Sequence, residues 1–482
     1  MKINRISIEY YLVFALVLLT GVLLLNSYLG DPSIYYIFSK NISKGEFLTY
    51  NSGEFSSGAT SPLWAILLSI PFFISKNIVY AKVFSFIITL VSHLYLIYCL
   101  KKINKSTILV LLLYSIISYY TLIFGLMSYE ISLLLFAVPL LVLGVIEGNK
   151  KHIFLSFMLL PLIRPDSIVL VLVTYIYLVY IRGLDFKSDL LKLVFAILPF
   201  GIYILISYSL TGTYSSSSYC RSFALSEGTN TIFGLKYSLS SIFAVVAFPS
   251  AFLILLLMGK RKFNTITVIS IISTIIYLLV FSFIKPIDEN PHRYLVPIFI
   301  LLSFSIATIY NDLTSISPKL KLILIAILIF IVALIGAKVY KYYNTFSFEQ
   351  IAEKELIESL NVEIPQNSLI LSYEVQNKYY MRNDIQVLSL DGIIDGKVAP
   401  YLKTSKMIEF INEYRPDYWI ANDAVNYRNY LRNSELFDIY NQETNLNDTV
   451  RFENVSFILL KENDVDLGKL ANWKKFYKLE YQ

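Results

Sequence analysis

The sequence is poor in charged residues, cysteine and histidine, and each shortage argues against a class of protein. Only 16% of the 482 residues are charged, whereas a soluble globular domain carries about a quarter. Two cysteines, Cys99 and Cys220, are too few for a disulfide framework. The apolar segments show no metal-ligand spacing and no Ser-His-Asp pattern. No Walker or Gly-x-Gly-x-x-Gly loop is present, which argues against nucleotide-driven chemistry.

Apolar residues are abundant instead, and they occur in long runs. They make up 56% of the chain, and the mean hydropathy is +0.60, which predicts a polytopic membrane protein. A helix needs about 20 apolar residues to cross a bilayer. Spans are predicted at 10–29, 78–100, 107–124, 129–146, 192–209, 238–258, 264–284, 293–310 and 321–340, with a shorter pair at 152–163 and 168–181. The run 61–74 has about 14 residues, so we expect an interfacial or re-entrant helix there.

Basic residues set the predicted orientation, because cytoplasmic loops are enriched in Lys and Arg. If 61–74 does not cross, most basic clusters fall on one side of the membrane. These clusters are Lys2 and Arg5; Lys101, Lys102 and Lys105; Lys150 and Lys151; Arg182 and Lys187; Lys260, Arg261 and Lys262; Lys319 and Lys321. No small-residue cleavage site follows the first apolar run, so we expect an uncleaved helix. The sequence thus predicts about eleven transmembrane helices, with the N-terminus inside and the C-terminus outside.

The composition changes from apolar to polar and charged after Tyr340. We therefore expect a transmembrane module at 1–340, with a first external loop at 30–77, and a small extracytoplasmic α/β domain at 341–482. Strand patterns occur at 368–373, 385–390, 417–420 and 455–460, and helical patterns near 348–361 and 404–414. The basic residues mark topology rather than a binding face, so no nucleic-acid partner is expected.

In this topology the outer ends of the helices and the first loop collect charged or ionisable residues. They are Asp31, Glu54, Lys82, Glu130, Arg164, Asp166, Arg221, His292 and Arg293. A charge at the bilayer centre costs about 2.5–3.5 kcal/mol, so such groups persist when they pair or face a wet cavity. Their gathering on one side predicts a cavity open to the outside. Simpler interpretations remain open for single residues: a snorkelling Lys82, and a mutual pair of Arg164 and Asp166 around a proline turn.

Asp31 stands out because it lies at a membrane boundary beside an aromatic amphipathic helix. A carboxylate in such a place can act as a general base, and it can also hold a divalent cation. The pattern assigns no cofactor and no further metal ligand.

The loop around Asp31 also carries a recognisable order of motifs. It contains Tyr50-Asn51-Ser52-Gly53-Glu54 and Gly58-Ala59-Thr60-Ser61-Pro62-Leu63-Trp64. Weaker elements follow in order at Ala81-Lys82, Gly125-Leu126-Met127, Arg164-Pro165-Asp166, Arg293-Tyr294-Leu295-Val296-Pro297 and 387–395. Together they resemble the GT-C glycosyltransferases, particularly the arabinofuranosyltransferase-like and mannosyltransferase-like members. Two positions depart from that pattern: Gly30 replaces the first residue of an acidic pair, and Met127 replaces a glutamate, with Glu130 nearby but out of register.

The resemblance implies a GT-C-like fold and an inverting hexosyl or pentosyl transfer. The sugar would pass from a polyprenyl-phosphate donor to a cell-envelope glycan, glycolipid or protein acceptor, on the extracytoplasmic face of the cell membrane. In that scheme Asp31 is the base and Arg293 the main cation for the donor phosphate, while membrane lipid surrounds the spans. Further phosphate candidates are His292, Arg221 and Lys82, and substrate-binding candidates are Glu54, Glu130, Arg164 and Asp166.

Two other functions use the same features. A transporter or flippase for lipid-linked sugars would share the charged cavity, but it requires functional groups that reach the inner face, where the loops are short and basic. Matching broken helices in two halves of the chain, the usual mark of such transporters, are not seen. A non-catalytic envelope-assembly protein, binding a partner through its outer domain, is compatible with the missing carboxylate at Gly30.

Overall fold

The computed structural model describes most of the chain. The described residues are 7–25, 30–182, 186–215, 264–283, 291–310, 318–373, 375–390, 392–394, 396–404, 406–421, 435–441, 449–463 and 474–481. The predicted span 238–258 lies outside these ranges.

The first part of the chain is almost entirely helical. Its helices are α1 Ile8–Leu24, α2 Gly30–Ile42, α3 Pro62–Ile74, α4 Ile78–Ile103, α5 Thr107–Leu126, α6 Ile131–Glu147 and α7 Lys150–Ile163. Local sequence sets several of these limits. The Asn77 side chain caps α4 by accepting a hydrogen bond from the Val79 amide at 3.0 Å. Gly148 ends α6 in the left-handed region at φ 69°.

The helical part continues with α8 Ile168–Arg182, α9 Phe186–Thr211, α10 Thr265–Phe283, α11 Val296–Ile309 and α12 Pro318–Glu363. A sharp turn separates α7 from α8, because Arg164 precedes a proline and is therefore extended (φ −149°, ψ 124°). Helix α12 has 46 residues and runs without a break past Tyr340, the predicted limit of the transmembrane module.

Every predicted span within the described residues coincides with a helix. By length and composition, four described segments can cross a membrane: Ile78–Ile103, Thr107–Leu126, Leu190–Thr211 and Lys321–Asn344. Helix α3 has 13 residues and is therefore about 20 Å long, too short to cross, as the sequence predicted. The chain is thus a membrane protein, and the total of about eleven spans stays a prediction.

The C-terminal part forms a mixed sheet of six strands in the order β2-β1-β3-β6-β5-β4. The strands are β1 Leu369–Ser372, β2 Gln386–Ser389, β3 Tyr418–Ala421, β4 Thr449–Phe452, β5 Val455–Asn463 and β6 Lys474–Tyr481, with helices α13 Ala399–Thr404, α14 Met407–Tyr414 and α15 Glu435–Asn441. The four predicted strands are confirmed. Strands β4 and β6 were missed, because charged residues interrupt their apolar residues.

The sheet is covered on both faces, which explains the nearly continuous apolar residues of β1, β2 and β3. One face packs on α13, α14 and α15 around Trp419 and Phe410. The other face, with Ile370 and Val387, packs on the first loop, including the buried Tyr36 and Trp64. The C-terminal sheet therefore shares a hydrophobic core with the loop that the sequence marks as the site.

Candidate active site

Helix α2 forms the floor of the candidate site. Its aromatic residues Tyr35, Tyr36 and Phe38 are all buried, so this short helix is fixed by packing on more than one side. Position 31 lies in its first turn. The side chain of Asp31 lies outside the described part of the structure.

The turn between α5 and α6 is tied to the first loop by hydrogen bonds. Ser128 adopts a left-handed conformation at φ 69°. Its carbonyl accepts a hydrogen bond from Trp64 Nε1 at 2.7 Å, and its Oγ accepts one from the Tyr36 hydroxyl at 2.5 Å. These bonds fix the turn that places Glu130 directly before α6.

Glu130 and Asp166 hold Arg164 from two sides. Arg164 Nη1 lies 2.7 Å from Glu130 Oε1, and Arg164 Nε lies 3.0 Å from Asp166 Oδ1. The side chains are only 10%, 4% and 17% exposed for Arg164, Glu130 and Asp166. The mutual pair of Arg164 and Asp166 is therefore confirmed, and Glu130 adds a second carboxylate that the sequence did not connect with it. Burial makes this arrangement costly to break, because each partner would be left as an uncompensated charge.

The ring of Tyr294 lies close to two guanidinium groups. The guanidinium carbon of Arg164 lies 4.6 Å from the ring centroid, and that of Arg293 lies 5.1 Å from it. Arg293 Nη2 also donates to the Tyr294 hydroxyl at 3.1 Å, and its guanidinium carbon is 5.5 Å from the Tyr129 ring. Aromatic faces attract cations at these distances. We call Glu130, Arg164, Asp166, Arg293 and Tyr294 the charged cluster.

Tyr35 connects α2 with the charged cluster. Its hydroxyl is hydrogen-bonded to Thr60 Oγ1 at 2.8 Å. Burial raises the pKa of Tyr35 well above its ordinary value; Glu130 raises it further, and Arg164 and Arg293 oppose the shift. Tyr35 is thus within electrostatic reach of three cluster residues. Position 31 precedes it by four residues on the same helix face.

The other predicted residues lie apart from this cluster or outside the described structure. Glu54 is 43% exposed and forms an ion pair with Lys397 of the C-terminal domain at 3.3 Å. Lys82, on α4, donates to the Leu25 carbonyl at 3.2 Å. His292 lies in the short helical turn Pro291–Leu295, with a side chain outside the described part, and Arg221 lies outside it entirely. Among the described residues, no group of three His, Cys, Asp or Glu residues is arranged to hold a metal.

Sequence analysis missed the tyrosines of the site. Tyr35, Tyr129 and Tyr294 contact or surround the charged cluster, yet the chain has 38 tyrosines, so their type alone carries no signal. A weak signal existed for Tyr294, which follows Arg293 directly within a motif.

Fold and site together define a largely α-helical membrane protein with a largely buried charged cluster near the loop 30–77 and a sheet domain packed on that loop. The same overall fold occurs in ArnT from Cupriavidus metallidurans, whose crystal structure contains undecaprenyl phosphate. The match covers 98% of each chain with a TM-score of 0.57 and 9% sequence identity. At this identity the likeness concerns the fold. No protein-family model and no curated protein sequence matches the chain.

Proposed function

We propose that this protein is an integral-membrane glycosyltransferase. It transfers a sugar from a polyprenyl-phosphate donor to a cell-envelope glycan, glycolipid or protein acceptor on the extracytoplasmic face. The observation that carries the proposal is the charged cluster itself, in which the buried guanidinium group of Arg164 and the half-buried one of Arg293 lie near the loop that resembles the first loop of GT-C enzymes. The likeness in fold to a protein crystallised with undecaprenyl phosphate supports the same class of donor.

The donor phosphate pairs with Arg293 in this proposal. Glu130 and Asp166 already neutralise Arg164, so the main task of Arg164 is to hold the cluster together. Arg293 rests on Tyr294 and Tyr129, which fix the direction of its guanidinium group. A planar guanidinium donates two parallel hydrogen bonds to a phosphate.

Asp31 acts as the general base. The acceptor hydroxyl oxygen attacks the anomeric carbon from the face opposite to the phosphate, the carbon–oxygen bond to the phosphate breaks, and the configuration inverts. The hydroxyl proton passes to the Asp31 carboxylate, and polyprenyl phosphate leaves with the bonding electron pair. Arg293 stabilises the negative charge that develops on the departing phosphate. Tyr35, one turn further along α2, supports this placement because it is within electrostatic reach of Arg293.

The remaining candidates have supporting roles. Glu130 and Asp166 position Arg164, and through Tyr294 they position Arg293. His292, next to Arg293 in the chain, and Arg221 are additional phosphate ligands in the proposal, and Lys82 is a further one from α4. Glu54 acts at the boundary between the loop and the C-terminal domain, where its ion pair with Lys397 lies.

The test is transfer by purified protein in lipid, with a panel of polyprenyl-phosphate sugars and release of the carrier phosphate as the readout. We expect wild-type protein to release carrier phosphate from one donor class, and Asp31→Asn to lose at least about 100-fold in rate, the lower range for a general base. The control is Glu358→Gln, which changes an exposed carboxylate on α12. Each reaction is run with and without a chelator, because a carboxylate at position 31 also suits a divalent cation.

Normal insertion of Asp31→Asn with full transfer activity would refute the role of Asp31. Movement of labelled donor across proteoliposomes without any release of carrier phosphate would instead favour a flippase. Absence of release from every donor, together with tight binding of a partner protein, would favour an assembly protein.

A further inference from the structure

Residues 50–60 of the first loop, which we call the docking strip, join the C-terminal domain to the membrane part. The clearest contact is at Asn51, which is 4% exposed. Asn51 Nδ2 donates to the Val387 carbonyl at 2.9 Å, and Asn51 Oδ1 accepts from the Val387 amide at 3.0 Å. Val387 belongs to β2, the edge strand of the sheet. The asparagine side chain therefore hydrogen-bonds both backbone groups of Val387 at this edge, as the backbone of a neighbouring strand would.

Other parts of the docking strip add contacts to the same domain. The Tyr50 hydroxyl donates to the Val375 carbonyl, and the Ser56 hydroxyl donates to the Ile394 carbonyl. Gly58 permits the closest approach. A Cβ at this position would lie 2.7 Å from both the Ile393 carbonyl oxygen and the Ile394 Cα. These are backbone atoms, so no side-chain movement can make room for a larger residue.

The end of the docking strip contacts α9, the residues that follow α9, and the tyrosine next to the charged cluster. Ser57 Oγ is hydrogen-bonded to Thr213 Oγ1 at 2.7 Å, and the Ala59 carbonyl accepts from the Tyr203 hydroxyl of α9 at 2.8 Å. Thr60 Oγ1 then meets the Tyr35 hydroxyl at 2.8 Å. Consecutive residues of one strip thus bind the sheet domain, α9 and the tyrosine next to the cluster.

We infer that the docking strip is a positioning element, in which Asn51 fixes the position of the C-terminal sheet relative to the charged cluster. This inference rests on the proposed glycosyl transfer, and it assigns the sheet domain to the acceptor step. The donor phosphate binds Arg293 from the membrane part, while the acceptor hydroxyl must be aligned with the base across the loop. Loss of this fixed position of the sheet domain therefore lowers the transfer rate and leaves donor binding unchanged.

The experiment compares Asn51→Ala with Ser52→Ala in the full chain. Ser52 is the next residue in the strip, but it is exposed and bonds only to Glu46 of the same loop among the described contacts. For Asn51→Ala we expect at least ~10-fold faster amide hydrogen exchange at Val387, because that amide loses its acceptor. Transfer kcat should fall by ~10- to 100-fold, as expected for a misplaced reacting group, with the Kd for polyprenyl phosphate unchanged. Ser52→Ala should match wild type in all three measurements.

Asn51→Asp provides a pH-dependent readout that simple loss of packing would not. The ionised carboxylate accepts from the Val387 amide but opposes the Val387 carbonyl, whereas the protonated form can donate to that carbonyl as asparagine does. The charged groups facing this position are Glu54, whose Oε2 lies 3.2 Å from Asn51 Nδ2, and Lys397, which pairs with Glu54. The kcat of Asn51→Asp relative to wild type should therefore rise as the pH falls from 8 to 5.

Two outcomes for Asn51→Ala decide against the inference. A wild-type kcat in Asn51→Ala, despite faster exchange at Val387, would overturn it. A weaker donor Kd at unchanged kcat would also overturn it, because the strip would then serve the donor. If Asn51→Ala does not fold, Ser56→Ala removes the bond to the Ile394 carbonyl, together with a local bond from the Gly58 amide, and is judged by the same measurements. Absence of carrier release by wild type would refute the proposed function itself, while the exchange measurement would still report on docking.

Discussion

Removal of the Arg164 guanidinium, by Arg164→Met, tests how the charged cluster is held together. In the structure this group makes two charge-assisted hydrogen bonds, of 2.7 and 3.0 Å, to carboxylates that are 4% and 17% exposed. Methionine fills similar space but leaves Glu130 and Asp166 facing each other without a cation. Breaking a buried ion pair from one side costs about 3–5 kcal/mol, so we expect a loss of that size in the free energy of unfolding.

The triple variant Arg164→Met/Glu130→Gln/Asp166→Asn should recover most of this loss. No charge is then buried, and replacing a whole buried network by neutral residues is often close to neutral in stability.

The assay is equilibrium unfolding in mixed micelles, followed by tryptophan fluorescence. Trp64 is a suitable reporter, because it is fully buried and donates to Ser128 two residues before Glu130. The control is Arg451→Met on the edge strand β4, where Arg451 is exposed and a change of at most about 0.5 kcal/mol is expected. The reasoning would be refuted if Arg164→Met were as stable as the triple variant, because burial of the two carboxylates would then cost nothing without the guanidinium.

Two further predictions concern the donor site and the C-terminal domain. Arg293→Ala should weaken binding of labelled polyprenyl phosphate by ~10- to 100-fold, the effect of one lost charge-assisted hydrogen bond, at unchanged expression; this is a lower limit, because the bidentate contact proposed for Arg293 holds two such bonds. An unchanged donor Kd, equal to that of Arg451→Ala, would contradict it. Lys378 is buried and donates to the Ile385 carbonyl, and burial lowers the pKa of its ammonium to about 8. In the unfolded chain the lysine keeps its proton up to about pH 10.4. The free energy of unfolding of wild type, relative to that of Lys378→Met, should therefore rise between about pH 8 and pH 10.4. If chemical unfolding shows that this difference stays flat or falls, the prediction is wrong.

The sequence predicted helices and some strands well, for a physical reason that differs between the two. Long apolar runs such as 78–100 and 107–124 can satisfy their backbone in a membrane only as helices, so α4 and α5 follow from local composition. Strands β1, β2 and β3 are buried on both faces and are therefore mostly apolar. Strand β6 has Lys475, Lys478 and Glu480 among its apolar residues, so only its pairing with β3 and β5 makes it a strand.

The sequence predicted most of the charged residues of the site, but among their contacts only the pair of Arg164 and Asp166. The positive-inside pattern gathered Glu130, Arg164, Asp166 and Arg293 on one side of the membrane, and a motif drew attention to the first loop. Substrate binding by Glu54 stays a prediction; in the structure Glu54 forms an ion pair with Lys397 at the contact between the loop and the sheet domain. Residue type indicates what a group can do, whereas the partner it meets depends on segments far apart in the chain.

By itself, therefore, the sequence determined the membrane character and the positions of most helices, while the side of the membrane on which charge collects stays a prediction. These properties depend on neighbouring residues and on the cost of moving them out of water. Only the tertiary structure decided that Glu130 joins the pair of Arg164 and Asp166, that Tyr294 lies close to both guanidinium groups, and that Asn51 joins the sheet. These contacts depend on the left-handed turn at Ser128, the sharp turn at Arg164 and the packing of the sheet on the loop. Those features bring together residues that are far apart in the chain, which no local pattern encodes.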